Sequence, residues 1–402
     1  MERFANSPIG DLVRMTGIDG RNGLNYDVMA YVAHRLEDEP ELSAQTWREV
    51  NSANRALARL DQAARLVPNP DILRQPTLRR EAQSTSALEG TFAPLEDVLA
   101  VDADEDALSR EMKEVMNYIA AANYAFDAVQ ETLTVALLQT AHHLLVDQTE
   151  SDTPDKGRVR RIPVAIGSPT GLVEDARFVP MPPGADLESA ARDLVDWIRT
   201  PASPRDPLVA AAMAHYQFET LHPFNDGNGR LGRLLIVLQF LGDGLLTEPL
   251  LSVSPWFEAR RIAYQDALAA VSETGDWDAW VRFFCAGIEA SATDTAARVD
   301  RLLGINARYV EKLRDEKITG VARDIADMLI GTPVVTVPSL SRTTGRTSQA
   351  VNTALLRLVK AGILMGPIGS YNRRFFALDV MDAITAPPGT VKPANAPLRT
   401  ES

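Results

Sequence analysis

The 402-residue sequence holds one cysteine, Cys285, and only 6% aromatic residues. A single thiol excludes an intrachain disulfide, and its place in the apolar run WVRFFCAGI marks a buried structural thiol rather than a nucleophile. A reducing compartment is implied. No apolar run is long enough to cross a bilayer, since the longest, LLIVLQFLGDGLL, is broken by Asp243. The N-terminal MERFANSPIGDLVRM lacks the basic-then-apolar order of a secretory leader. The expectation is therefore a cytoplasmic protein with no membrane partner. Positive charge is also scarce: 41 Lys and Arg against 54 Asp and Glu leave a net charge of −13. That balance argues against a protein that coats nucleic acid along its whole length but permits a local basic patch. The length exceeds one ordinary domain, so two or three are expected.

What is present is mostly helical pattern. Residues 26 to 66 read as helix, VPNPDILRQP interrupts with three prolines, and helix returns from TLRREAQSTSALEG to about 145, with Gly90 as a C-cap. The acidic VDADEDALSREMKEVMNYI opens a helix whose early carboxylates suit the positive end of its dipole. Between 158 and 181 two short β-like runs joined by a turn read as a hairpin, the only clear β element before residue 330. Asp206 and Pro207 then start a helix that must stop near His222, because Pro223 pushes its predecessor out of the α region. RLGRLLIVLQFL beyond it is apolar nearly all round, as a buried helix is.

The helix–loop–helix junction between them, HPFNDGNGR at 222–230, carries the chemistry. Its Asp-Gly and Asn-Gly pairs suit hairpins, but the flanks are helical. A calcium loop starting at Asp226 would need glycine where Leu231 stands and glutamate where Val237 stands, and a Walker-type phosphate loop would need Gly-Lys-Ser/Thr. What remains is an anion site. Gly227 and Gly229 let successive N–H groups turn inward, the next helix aims its N-terminus there, and Arg230 and Arg233 share one face. Asp226 is placed to hold a hard cation such as Mg²⁺ on phosphate oxygens, and His222 to take a proton from an attacking hydroxyl. His34, His142, His143 and His215 read as structural or surface residues.

HPFNDGNGRLGR resembles, without departure at its defining positions, the Fic-family signature H-x-F-x-D/E-G-N-G-R-x-x-R, and the surrounding pattern resembles the Fic core from about 106 to 295. The resemblance implies transfer of AMP from ATP to a Ser, Thr or Tyr hydroxyl of a protein target, with His222 as base, Phe224 as core anchor and Asp226 as Mg²⁺ ligand. Asn228 with the Gly227 and Gly229 amides would cradle phosphate, Arg230 and Arg233 would grip the outer phosphates, and pyrophosphate would leave. The hairpin resembles the family's flap, so Ile162, Val164 and Ile166 would pair with a target segment like a strand.

A second stretch, STSALEG, reads on its own as an ordinary helix end with Glu89 solvated. It also resembles the family's inhibitory motif S/T-x-x-x-E-G/N, here Thr85, Glu89 and Gly90, placed N-terminal to the core. That implies Glu89 competing with the ATP γ-phosphate for Arg233, auto-AMPylation or reverse de-AMPylation as further activities, and a homodimer as one means of controlling the helix.

Between Gly331 and Leu378 stand six basic residues, Arg342, Arg346, Arg357, Lys360, Arg373 and Arg374, and no acidic one. The order helix, helix, helix, then two short strands around Gly369 reads as a winged helix-turn-helix, with Ser348 to Lys360 as recognition helix and Arg373 and Arg374 on the wing, facing DNA or a protein partner. The fold class is mainly α. The expected domains are an N-terminal helical domain with the inhibitory helix (1–105), a Fic core with a β-hairpin flap (106–295), a linker helix (296–318), a winged helix-turn-helix (319–385) and a proline-rich disordered tail (386–402). The alternative function is a nucleotide-responsive DNA-binding regulator with little turnover, against which the intact His222 argues.

Overall fold

The computed structural model describes residues 1–19, 22–37, 39–65, 70–101, 108–129, 132–200, 205–369 and 373–391. It opens with β1 (Gly10–Ile18) and β2 (Asn25–Ala33), antiparallel and in register from Gly10 opposite Ala33 to Ile18 opposite Asn25. The helix expected from residue 26 is thus corrected over 25–33. NYDVMAYVA alternates with period two and is rich in β-branched and aromatic side chains, which suits a strand. With it falls the expectation that 158–181 holds the only β element before residue 330.

That second hairpin shrinks to one antiparallel bridge, Ile166 with Phe178, which leaves Ile162 and Val164 outside any strand. Pro163, Pro169 and Pro180 supply no N–H, so a continuous ladder cannot form. The segment leans on β2 instead, where the Tyr31 amide donates to the Val179 carbonyl at 2.8 Å.

Helices make the rest of the N-terminal body: α1 (Ala44–Arg65), α2 (Asp71–Leu88), α3 (Leu95–Ala100), α4 (Arg110–Val129), α5 (Val135–Val146) and α6 (Ala185–Arg199). Gly90 follows α2 with φ +97°, as expected of a residue past a helix end. Residues 102–107, which hold most of the expected early carboxylates, lie outside the described residues.

α7 (Pro207–Leu221) and α8 (Asn228–Gly242) sit at the centre. Asp206 caps α7 through the Leu208 and Val209 amides, with Pro207 at its first position. Two apolar clusters meet on the pair. One joins Tyr216, Ile236 and Phe240 to α1, to Trp280, Phe284 and Ile288 and to the C-terminal helices; the other joins Phe218, Leu231 and Leu235 to α4, α5 and α6. Being buried on every side explains why the α8 sequence lacks a polar face.

α9 (Ser254–Glu258) and α10 (Arg261–Thr274) lead to α11 (Trp277–Asp315), a single helix of 39 residues, or about 58 Å at ~1.5 Å per residue. It runs unbroken through Ala296 and buries Cys285 against the core, where burial pushes the thiol pKa up. Then follow α12 (Val321–Met328), β3 (Val334–Thr336), α13 (Val337–Thr344), α14 (Ser348–Lys360), β4 (Met365–Ile368), β5 (Arg374–Phe376) and α15 (Leu378–Thr385). The three strands form an antiparallel sheet in the order β3, β5, β4; β3 is an element the sequence reading missed.

These C-terminal elements are fastened to α2 and α11 by a buried ion cluster. Asp294 receives Arg80 of α2 at 3.2 Å and Arg298 at 2.9 Å, and Arg298 donates to the carbonyls of Ala383, Ile384 and Ala386. The Gly389 amide also donates to Asp294. The tail expected to be disordered from 386 is therefore anchored as far as Gly389, because its backbone satisfies a buried carboxylate; residues 392–402 lie outside the described residues.

Candidate active site

The junction between α7 and α8 is built by two left-handed backbone positions. His222, which caps α7, takes φ +49°, and Gly227, which precedes α8, takes φ +74°. The first is costly for a side-chain-bearing residue and marks a constrained site. Asn228 closes the loop: its Oδ1 accepts from the Phe224 amide at 2.9 Å and its Nδ2 donates to the Phe224 carbonyl at 2.8 Å. Its side chain is thus spent on the loop's own backbone, whereas the family resemblance cast Asn228 as part of the phosphate cradle. Phe224 is buried as an anchor and stacks on His142, with ring centroids 4.1 Å apart. His142 accepts from the Gly157 amide at Nδ1, so its Nε2–H donates to the Asp226 carbonyl. Burial draws its pKa down to about 4, consistent with a neutral brace under the loop.

His222 is held by its own helix. Nδ1 lies 3.3 Å from the Glu219 carbonyl, which can only accept, so Nδ1 carries the proton and Nε2 the lone pair. Burial first, and then the nearby Arg160 cation, lower its pKa to about 4. At neutral pH it is a free base. Arg160, which the sequence did not single out, is 1% exposed and donates to the carbonyls of His222, Ile162, Met181 and Leu221. It ties the 160–181 segment to the base.

Asp226 has a half-exposed carboxylate. Burial raises its pKa, but Arg230, the Ser151 hydroxyl and the Gly227 amide outweigh that and hold it ionised. Among the described residues no cluster of three or more His, Cys, Asp or Glu side chains is placed to hold a metal. One accessible carboxylate beside a helix N-terminus still fits Mg²⁺, which keeps most of its water and takes its other ligands from phosphate. The first-turn amides of α8 have no intrahelical acceptor and face the same place.

The two arginines of the motif part company. Arg233, 2% exposed, lines a cavity of about 200 Å³ together with Glu89, Glu219, His222, Gly229 and Tyr264. Its Nε donates to Thr85 Oγ1 at 2.8 Å, and its Nη2 to the Thr85 carbonyl at 3.1 Å and to Glu89 Oε1 at 2.7 Å. Burial opposes its charge and Glu89 more than restores it. Arg230, expected beside it on the outer phosphates, turns away: it is 3% exposed, 3.3 Å from Glu114 and 3.9 Å from Asp226. A buried guanidinium goes to the nearest buried carboxylate, and Glu114 on α4 is that partner.

A Cβ at Gly229 would lie 2.2 Å from Glu89 Oε1, so a side chain there would displace the Glu89 carboxylate. Ile166 lines the cavity at the bridge with Phe178; Ile162 accepts from Arg160; Val164 is buried. His215 is buried between the Gly232 carbonyl and the Tyr264 hydroxyl, and the exposed His34 pairs with Asp11. Of the basic C-terminal residues, Arg346, Arg357, Lys360 and Arg373 are exposed and Arg374 is half-buried.

Residues 47–127 match the family described as Fic/DOC family N-terminal, and residues 132–240 the Fic/DOC family. The chain is 32% identical over 176 residues to protein adenylyltransferase fic-1 of Caenorhabditis briggsae, which covers 41% of this chain and 31% of that one. It is 33% identical over 102 residues to a probable protein adenylyltransferase of Aquifex aeolicus, covering 25% and 31%. The matches thus span about a third of these curated relatives' length. A crystal structure of a Fic family protein from Desulfovibrio desulfuricans G20 covers 85% of this chain and 98% of its own, with a TM-score of 0.54 at 22% identity, a likeness of fold. Residues 47–127 and 132–240, which hold Glu89, Glu114, Arg160 and the loop from His222 to Arg233, thus match the Fic/DOC family.

Proposed function

We propose that the chain transfers AMP from ATP to a hydroxyl side chain of a protein, and that Glu89 holds it in an inhibited state. The observation that carries this reading is the Glu89–Arg233 ion pair set beside an unprotonated His222 Nε2. The hydroxyl oxygen attacks the α-phosphorus, the bond to the β-phosphate bridging oxygen breaks, pyrophosphate leaves, and the hydroxyl proton goes to Nε2. The α8 amides and Arg233 neutralise charge on the phosphates, and Asp226 is the residue that would hold Mg²⁺, which supplies further charge neutralisation when bound. A buried arginine that serves a carboxylate cannot also serve the γ-phosphate. The names of the related adenylyltransferases support the transfer.

Label transfer from ATP marked at the α- or γ-phosphate tests it in wild type, Glu89→Gly, and Glu89→Gly with His222→Ala. Strong α-label with Glu89→Gly alone, and γ-label with none, is expected; no α-label from Glu89→Gly on any protein, itself included, while ATP still binds, counts against it. A second reading rests on the exposed Arg346, Arg357, Lys360 and Arg373 around α14. It makes the C-terminal elements a DNA-binding winged helix, and predicts salt-dependent binding of the full chain to duplex DNA that weakens in Arg357→Ala.

A further inference from the structure

The transfer reading leaves one carboxyl in the cavity without a task. Glu219 stands one turn before His222 on α7 and lines the cavity with Arg233, Gly229 and Tyr264. Its Oε1 is buried without a hydrogen-bond partner. Space is kept for it, because a Cβ at Gly232 on the facing helix would lie 2.4 Å from that oxygen. Gly232 occupies a position at which the Fic signature asks for no particular residue, and its lack of a side chain leaves room for Glu219 and for the Phe218 ring.

The geometry of the cavity says what such an oxygen can meet. Phosphates belong at the α8 amides and Arg233. From there the cavity extends along Tyr264, Leu268 and Ala269 of α10 and the Ile166–Phe178 bridge, a largely apolar wall suited to the flat faces of a nucleoside. Glu219 lies on this route. A carboxyl repels phosphate but accepts from a hydroxyl or an amino group. Burial pushes its pKa up to about 7, with Arg233 pulling down and Glu89 pushing up, and a donor reaching the carboxyl would favour its ionised, accepting form.

We propose that Glu219 is a specificity-determining residue of the nucleotide site, whose carboxyl accepts a hydrogen bond from a ribose hydroxyl or the base amino group and so selects the nucleotide set against His222. This rests on the reading that a nucleotide fills the cavity. The competing account, that Glu219 is only a second counter-charge for Arg233, makes no distinction between nucleotides.

The test is calorimetric binding by the full-length Glu89→Gly protein of ATP, 2′-deoxy-ATP, 3′-deoxy-ATP and inosine triphosphate, with Glu219 intact or changed to Ala, Met or Gln. With Glu219 present, the analogue lacking the relevant donor should bind roughly tenfold more weakly than ATP, the effect of one hydrogen bond. In Glu219→Ala, or in Glu219→Met if the smaller side chain unfolds the site, that penalty should shrink below about twofold, while Glu219→Gln, which keeps an acceptor oxygen, should retain most of it. A deoxy analogue or inosine triphosphate as the sensitive compound separates ribose from base. If removing Glu219 scales all affinities by one factor, the proposal is overturned. If Glu89→Gly binds no ATP at all, it is the nucleotide-transfer reading that fails.

Discussion

Arg233 and Glu89 meet at 2.7 Å with very different access to solvent: the arginine side chain is 2% exposed and the carboxylate 37%. The arginine is a fixed part of the core and the glutamate is the partner that can leave. Thr85 grips the same guanidinium through its hydroxyl and its carbonyl, so losing Glu89 does not set Arg233 adrift.

Thr85 should accordingly matter to the released enzyme. In the Glu89→Gly background, Thr85→Val removes a buried acceptor from a cation, an interaction of about 1.5–3 kcal/mol. Steady-state kinetics should show the KM for ATP rising roughly tenfold or more; an unchanged KM would mean that Arg233 needs no second holder.

Among the described residues Arg160 has no carboxylate partner and serves four backbone carbonyls, and burial lowers its pKa to about 10. Arg160→Ala strips the donors from carbonyls on both sides of the junction, at about 1–3 kcal/mol for each acceptor left unsatisfied. The melting temperature should fall, and transfer by Glu89→Gly should drop at least about tenfold as the 160–181 segment loses its tie to His222. Undiminished transfer by Glu89→Gly carrying Arg160→Ala would show that the tie is dispensable.

Asp294 compensates both Arg80 and Arg298 in the interior. Asp294→Asn leaves two buried cations facing a neutral amide, and removing one partner of a buried pair costs about 3–5 kcal/mol. Chemical denaturation should move to lower denaturant by that amount, whereas a shift below about 1 kcal/mol would mean that water reaches the cluster.

Acid should destabilise the fold well before carboxylates protonate. Burial lowers the pKa of His142 and His222 to about 4 and that of His215 to about 3. Unfolded imidazoles take up protons below about pH 6.5 while these resist, so their contribution is complete above about 6.5 and is lost as pH falls toward 4. Glu219, raised to about 7, acts in the opposite sense: its contribution is present below its unfolded value near 4.5 and lost as pH rises through 7. Three histidines outweigh one glutamate, and the melting temperature should fall between pH 7 and pH 5. A flat or rising profile there would contradict neutral buried histidines.

The loop was legible in the sequence because its parts are contiguous and each has a local reason: Pro223 ends α7, the glycines free the backbone, and the apolar run after Arg233 demands burial. Features that depend on distant partners were not legible. Arg230 turns to Glu114, 116 positions away, and no spacing within the motif announces that. The β1–β2 pair was hidden by reading alanine- and leucine-containing sequence as helix through a period-two segment. The flap hairpin was over-read because β-like side chains were weighed above three prolines. Glu219 escaped notice because a glutamate in a helix is ordinarily solvated.

α2 is fastened along its length. Ile72 presents its carbonyl against Gly331, Arg80 and Glu81 are locked to Asp294 and to Ser252 and Ser254, and Glu89 and Gly90, just past the last turn, are exposed. A bar bolted at its near end and middle swings only at its tip, so the smallest motion that frees Arg233 is the fraying of one helical turn, an event of nanoseconds to microseconds rather than the slow undocking of a domain.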